Sequence, residues 1–269
     1  MKHERVLRAA FGLFAGAIAF SLGGMTALKV APSVGATVGP ILPQLMAWPT
    51  WVYVTALPLA VFAAFLPVFG WGRSLVIAGW GTLVGATAEL VGTRTGFPFG
   101  SYSYSDFLGV KIAGRVPYAI PPSWYAAGLL SFTLATALGV RGLRRVATAA
   151  GFLVLWDVAL DPAMSAGFPI WIWQQPGPFY GMPWVNWAGW FGTGLVIMAG
   201  LELLTRGRVV DAGPWTARIW LVNGVFAVGI CVVAGLGLAV AVGSLAIAIP
   251  LVLPLLRSWR PLREAASAA

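Results

Sequence analysis

The sequence predicts an all-α integral membrane bundle of about eight transmembrane helices, a single domain over residues 1–269 with both termini in the cytoplasm. Three observations predict it. Of the 269 residues, 59% are hydrophobic and only 9% charged, whereas soluble domains carry roughly 25% charged residues. Apolar runs of about 20 residues recur along the whole length, enough for a helix to cross a bilayer. Those runs are continuous, unlike the alternating segments of about ten residues that mark a membrane β-barrel.

Helices are expected near 9–29, 50–69, 74–92, 122–140, 146–164, 185–204, 216–234 and 237–256. The first follows MKHERVLR, a basic start that resembles a secretory signal. Its apolar stretch is long and no small-x-small site follows directly, so it reads as an uncleaved span. Residues 216–256 are too long for one span, and Gly235-Leu236-Gly237 is the natural break.

Basic residues set the orientation. Lys2, Arg5 and Arg8 precede the first helix and Arg73 lies between the second and third. Arg141, Arg144 and Arg145 follow the fourth, Arg206, Arg208 and Arg218 the sixth, and Arg257, Arg260 and Arg263 the eighth. Of the 17 Lys and Arg residues only Lys29, Arg94, Lys111 and Arg115 fall on the other side, three of them in one loop. The net charge of +9 is thus scattered between apolar runs with no basic face, which argues against nucleic acid.

The connections 93–121 and 165–184 are the unusual ones: rich in Gly, Pro and aromatics, they read as ordered caps at the outer interface. No internal repeat and no second domain is visible. With one cysteine (Cys231) and one histidine (His3), disulfides, Cys/His zinc sites and haem ligation by histidine are excluded, and no metal is expected. Gly79-Trp80-Gly81 has no strand before it and is no dinucleotide loop. Gly12-x-x-x-Gly16 and Gly81-x-x-x-Gly85 read as close-packing faces, which would permit a homo-oligomer.

Chemistry is expected at three carboxyls inside apolar runs: Glu89, Asp157 and Asp161. Each costs roughly 2.5–3.5 kcal/mol at a helix centre on insertion scales. Asp157 and Asp161 are four residues apart in GFLVLWDVALDPAM and so share one helix face. Pro162 disfavours helix at the preceding residue. A dry site at the negative end of a helix disfavours a charged carboxylate, which makes these groups candidate proton donors.

Around them fall Tyr102, Tyr104, Trp124, Trp156, Trp171, Trp173, Tyr180 and Trp190, with Asn186 at the start of the sixth helix. Aromatic faces beside acids suit a carbocation, at about 0.5–2 kcal/mol each. Arg94, Lys111 and Arg115 are expected to tune the charge by holding a second carboxylate ionised. Structural roles compete with each reading: Glu89 bridged to Arg94 or Arg115, the aspartates as interhelical glue, the aromatics as interface belt, and Asn186 as a helix cap. Glu202, four before Arg206, reads as its surface partner, and Asp106 as a solvated loop residue.

GATAELVGTRTGFPFGSYSYSDFLGVKIAGRVPYAIPPSW, WDVALDPAM and WIWQQPGPFYGMPWVNWAGW together resemble the membrane-bound carotenoid biosynthesis proteins, a family that includes carotenoid 1′,2′-hydratases. The resemblance covers about residues 80–195 in separated blocks of the right order. It implies addition of water across the terminal 1′,2′ double bond of an acyclic carotenoid ψ-end, giving a tertiary alcohol without a cofactor. Its acidic positions fall on Glu89, Asp157 and Asp161. Its Gly-Met-Pro, Asn and Gly-Trp positions fall on Gly181, Pro183, Asn186, Gly189 and Trp190. The chain departs from the pattern at Gly109-Val110-Lys111, where Gly-Pro-Lys is expected.

That reaction protonates C2′, leaves positive charge on tertiary C1′, and needs a held water. Asp161 or Asp157 is expected as acid and Glu89 as partner or base, in the cytoplasmic membrane with the site near the outer leaflet. The substrate would lie among the helices, within the bilayer. The rivals are another isoprenoid cyclase or isomerase, a proton-coupled transporter and a pigment-binding scaffold.

Overall fold

The computed structural model describes the backbone of residues 2–175 and 177–267, and side chains as far as Leu256. The expected orientation signals Lys2, Arg257, Arg260 and Arg263 therefore have side chains outside the described residues. Among the described residues, eight major helical segments overlap the expected ranges. They are α1 (Lys2–Val30), two arms of α3 (Leu42–Thr95), α4 (Ile120–Ala137), α5 (Gly142–Pro162), α6 (Val185–Thr205), α7 (Pro214–Ala234) and α8 (Gly237–Ser267). A short α2 (Pro32–Val38) lies between α1 and α3, where a plain loop was expected.

The second and third expected spans form α3, which breaks at Gly70 (φ 72, ψ 169). That positive φ is open to glycine at little cost. The chain reverses there: the Phe62 and Trp71 rings lie 5.8 Å apart, and Pro58 and Thr55 share one cavity wall with Ala78 and Thr82. The two arms therefore run back along each other. Left-handed Gly235 (φ 76) ends α7 at the expected break.

Six helices among the described residues are long and apolar enough to cross a membrane, with residues 32–95 counted as one. The chain is a helical membrane protein. Helix α4 is not one of the six, for a physical reason: residues 124–136 are all buried. A helix walled by α3, α5, α6, α7 and α8 needs no lipid-facing apolar surface and tolerates Ser131, Thr133 and Thr136. Thr133 and Thr136 satisfy their hydroxyls on carbonyls one turn back, at 2.8 and 2.9 Å.

The caps contain the β-structure that the all-α expectation omitted. Strand β1 (Tyr102–Tyr104) pairs antiparallel with β4 (Trp171–Trp173), and β2 (Lys111–Ile112) with β3 (Val116–Pro117). The first pairing ties the two long connections into one lid over the helix ends. The α-helix of α5 ends at Pro162, and the chain continues into a π-helical turn, Ala163–Gly167.

At the opposite end of the bundle Glu202 does not pair with Arg206. Arg206 is in the left-handed conformation that closes α6 (φ 53), so its chain has left the helix path. Glu202 instead accepts from Arg145 Nε at 2.6 Å and from the Gly142 N–H at 3.1 Å. Arg145 is 1% exposed, stacks 4.4 Å from the Phe132 ring centroid and donates to the Arg208 carbonyl at 2.7 Å.

Candidate functional site

Glu89 lies on the second arm of α3, with Gly85 and Gly81 one and two turns before it on the same face. Both glycines are buried against α4: a Cβ on Gly85 would stand 2.6 Å from the Trp124 side chain. That close approach brings the Trp124 indole to Glu89, whose Oε1 accepts from Nε1 at 3.0 Å. Alternation along β1 puts Tyr102 and Tyr104 on one face. Their hydroxyls donate to Glu89 Oε2 at 2.5 and 2.8 Å. Burial, reinforced by the neighbouring carboxyl, pushes both phenols well above their ordinary range, so both stay neutral donors.

Asp157 and Asp161 face the same way on α5, 0% and 1% exposed. Asn186, in the first turn of α6, does not cap its helix; its Nδ2 donates to Asp157 Oδ2 at 2.8 Å and to Asp161 Oδ2 at 3.3 Å. Asp161 collects three further donors: Ser165 from the π-turn at 3.0 Å, Trp173 Nε1 at 3.1 Å and Trp171 Nε1 at 3.3 Å. Asp157 Oδ1 has no hydrogen-bond partner among the described residues.

The cap ribbon joins the two clusters. Its register sets Tyr102 opposite Trp173 and Tyr104 opposite Trp171. One strand therefore supplies both tyrosine donors to Glu89, and the other supplies both indole donors to Asp161.

The expected tuning by Arg94, Lys111 and Arg115 is not what the geometry gives. Lys111 bonds the Tyr104 carbonyl at 2.8 Å and pairs with Asp106 at 2.7 Å. Asp106 is exposed, as expected of a loop residue, but its carboxyl is paired and is held below its ordinary range by that lysine. Arg115 bonds the Thr93 carbonyl at 3.1 Å, and Arg94 is exposed. Among the described residues no Lys or Arg side chain bonds Glu89, Asp157 or Asp161. The reason is reach: the cations end at the wet rim of the cap, while neutral Tyr, Trp and Asn donors fill the dry interior.

A cavity with about 990 Å³ of atom-free space, part of it open to the outside, lies beside these clusters. Glu89 is the carboxyl on its wall; Asp157 and Asp161 are not, and Asn186 and Trp173 stand on the wall in front of them. Tyr102, Tyr104 and Trp124 line it beside Glu89, with Trp156 and Trp190 completing the aromatic wall. Trp190 stacks on Trp124 at 4.2 Å between centroids. Tyr180 is elsewhere: its hydroxyl accepts from the Leu238 and Ala239 N–H groups at 3.1 and 3.3 Å, capping α8.

Reasoning from sequence missed one polar pair on this wall, Tyr53 donating to Asn223 Oδ1 at 2.7 Å. The signal was there, since an amide inside an apolar span is rare for the same reason as an acid.

A family model described as "Carotenoid biosynthesis protein" matches residues 50–250. Over 124 residues the chain is 39% identical to a bisanhydrobacterioruberin hydratase of Haloarcula japonica, a match covering 43% of this chain and 40% of that protein. The chain thus covers well under two thirds of that relative's length. No solved structure matches the chain significantly.

Proposed function

The chain belongs to the carotenoid biosynthesis protein family, and from that membership we propose that it is a carotenoid 1′,2′-hydratase. The observation that carries this reading is a single carboxyl, Glu89, set in an aromatic cavity wall and held by three neutral donors. The relative that shares 39% identity over 124 residues is itself named a hydratase.

Glu89 is the acid that touches substrate. Its proton passes to C2′ of the terminal alkene and the electron pair of the double bond forms the new C–H bond, leaving the cation on C1′. The Trp124 indole, bonded to Glu89 and backed by the stacked Trp190 ring, stands beside that charge, and one such cation–π contact is worth about 0.5–2 kcal/mol. Water adds its lone pair to C1′ and gives up a proton to the Glu89 carboxylate, which restores the acid. Because C1′ and C2′ are neighbours, one carboxyl serves both steps through its two oxygens, and no cofactor is consumed.

Asp157 and Asp161 act from behind the wall, positioning Asn186 and Trp173. Asp157 Oδ1 is the oxygen at which a proton sits without displacing a hydrogen bond. The protein lies in the cytoplasmic membrane with its cap toward the outer leaflet, and takes carotenoid from the bilayer.

The test is pigment analysis in bacteria that make lycopene. A product heavier by one water, lost in Glu89→Gln, supports the reading. An isomer of unchanged mass would favour a cyclase or isomerase, and bound but unchanged pigment a scaffold.

A further inference from the structure

The catalytic cavity does not stand alone. It shares Thr50, Phe168 and Phe226 with a second, partly open space of about 700 Å³ between α1, α2, α7 and the start of α3. That second space shares Phe20 and Leu45 with an open groove between α1 and α3. The groove's rim is exposed and mostly apolar, with Phe20 at 53% and Trp48 at 71% and Gln44 its polar side chain. Three adjacent, largely apolar spaces that share wall residues thus lie in series from Glu89 to the outside of the bundle. Thr50, at the neck of this route, has its hydroxyl bonded to the Met46 carbonyl at 2.9 Å and offers a passing chain no hydrogen.

Three glycines of α1 line the route. Gly12 and Gly16 line the groove and Gly24 the second cavity, and a Cβ on any of them would meet nothing within 4 Å. The Gly12-x-x-x-Gly16 pair is thus not a packing face within the chain; its missing side chains leave a trough. Glycine in a helix interior costs about 0.5–1 kcal/mol against alanine, so three such positions lining two adjacent spaces point to a use.

The geometry points to this route as the seat of the substrate's polyene: the reacting end lies at Glu89, the chain passes the Phe168–Phe226 neck, and the far end leaves between α1 and α3. The assignment rests on the hydratase reading for the identity of the occupant. A conjugated chain is apolar along its length and loses little where polar groups are few; beyond Thr50 the walls of the second cavity and the groove offer only Ser21 and Gln44 as polar side chains. An exit at the side of the bundle also lets a molecule dissolved in lipid enter without crossing water. The far end group would then be read weakly, since it lies beyond the last wall.

Gly24→Phe fills the second cavity, and Gly23→Phe makes the same change one residue away, where nothing lies within 4 Å and none of these three spaces is lined. Each would be expressed in lycopene-making bacteria. Two readouts are taken: the water adduct formed, and the carotenoid that copurifies per protein in detergent. The expected result is at least a tenfold fall in both for Gly24→Phe and wild-type values for Gly23→Phe. Leu45→Trp, from the facing helix, repeats the block independently. Wild-type binding in Gly24→Phe and Leu45→Trp, or an equal fall in Gly23→Phe, overturns the route. A wild-type protein that binds lycopene but forms no adduct sinks the hydratase reading alone, because the binding readout still judges the route.

Discussion

Tyr102 faces Trp173 across the cap ribbon, their ring centroids 5.4 Å apart, and each reaches a different buried acid. Tyr102 donates to Glu89 and Trp173 to Asp161. One pair in the register of a three-residue strand therefore couples α3 to α5, and a slip of either strand by one residue would turn its two donors away from their acid.

Removing either phenol should cut hydration while leaving the fold. A hydrogen bond to a charged group is worth about 1.5–3 kcal/mol, so Tyr102→Phe and Tyr104→Phe should each lower turnover about ten- to a hundredfold. Both hydroxyls end on one oxygen, so the double variant should lose less than the product of the two. The ratio of hydrated to unhydrated pigment at matched expression measures this; an additive double variant would count against a shared role.

Asn186 should be worth more to stability than its size suggests. Asn186→Leu strips the shared donor from Asp157 and Asp161, and an unsatisfied buried polar group costs about 1–3 kcal/mol. Asn186→Asp puts a third carboxyl within reach of two others and should be worse. Thermal unfolding in detergent should rank wild type above Asn186→Leu, and Asn186→Leu above Asn186→Asp.

The two small-residue pairs should answer oppositely to alanine. Gly85→Ala drives a Cβ into Trp124, overpacking that typically costs about 1–3 kcal/mol, and it should move the indole from Glu89 and reduce activity. Gly12→Ala meets nothing and should be neutral or stabilise by up to about 1 kcal/mol. Unfolding midpoints with activity of each single variant decide it.

Arg145 should be the costly loss at the far end of the bundle. Breaking a buried pair by removing one partner typically costs about 3–5 kcal/mol, so Arg145→Ala should unfold early or fail to accumulate. Arg206→Ala should stay within about 0.5 kcal/mol of wild type. Equal destabilisation by the two would show that Glu202 is shared between them.

Much of this architecture is legible in the residues. Apolar runs of membrane length place the helices, and Gly235 marks the last break. The three buried acids announce themselves because a carboxyl in an apolar run is expensive. The aromatic, proline-rich connections expected to form caps hold the short strands found among the described residues. The family resemblance on residues 80–195 lies within the 50–250 that the family model matches.

What the sequence could not decide is which groups meet across space. Periodicity tells which face of a helix a residue occupies but not what stands opposite. The donors to Glu89 come from 13, 15 and 35 residues away, and that to Asp157 from 29. Nearness along the chain suggested Arg94 and Arg115 for Glu89, and Arg206 for Glu202. Tertiary packing chose neutral donors for the first and Arg145 for the second. In a dry interior the groups that win are those whose backbone positions bring them there without dragging an uncompensated charge along. The sequence by itself determined where the acids are; the fold decided which of them touches the cavity.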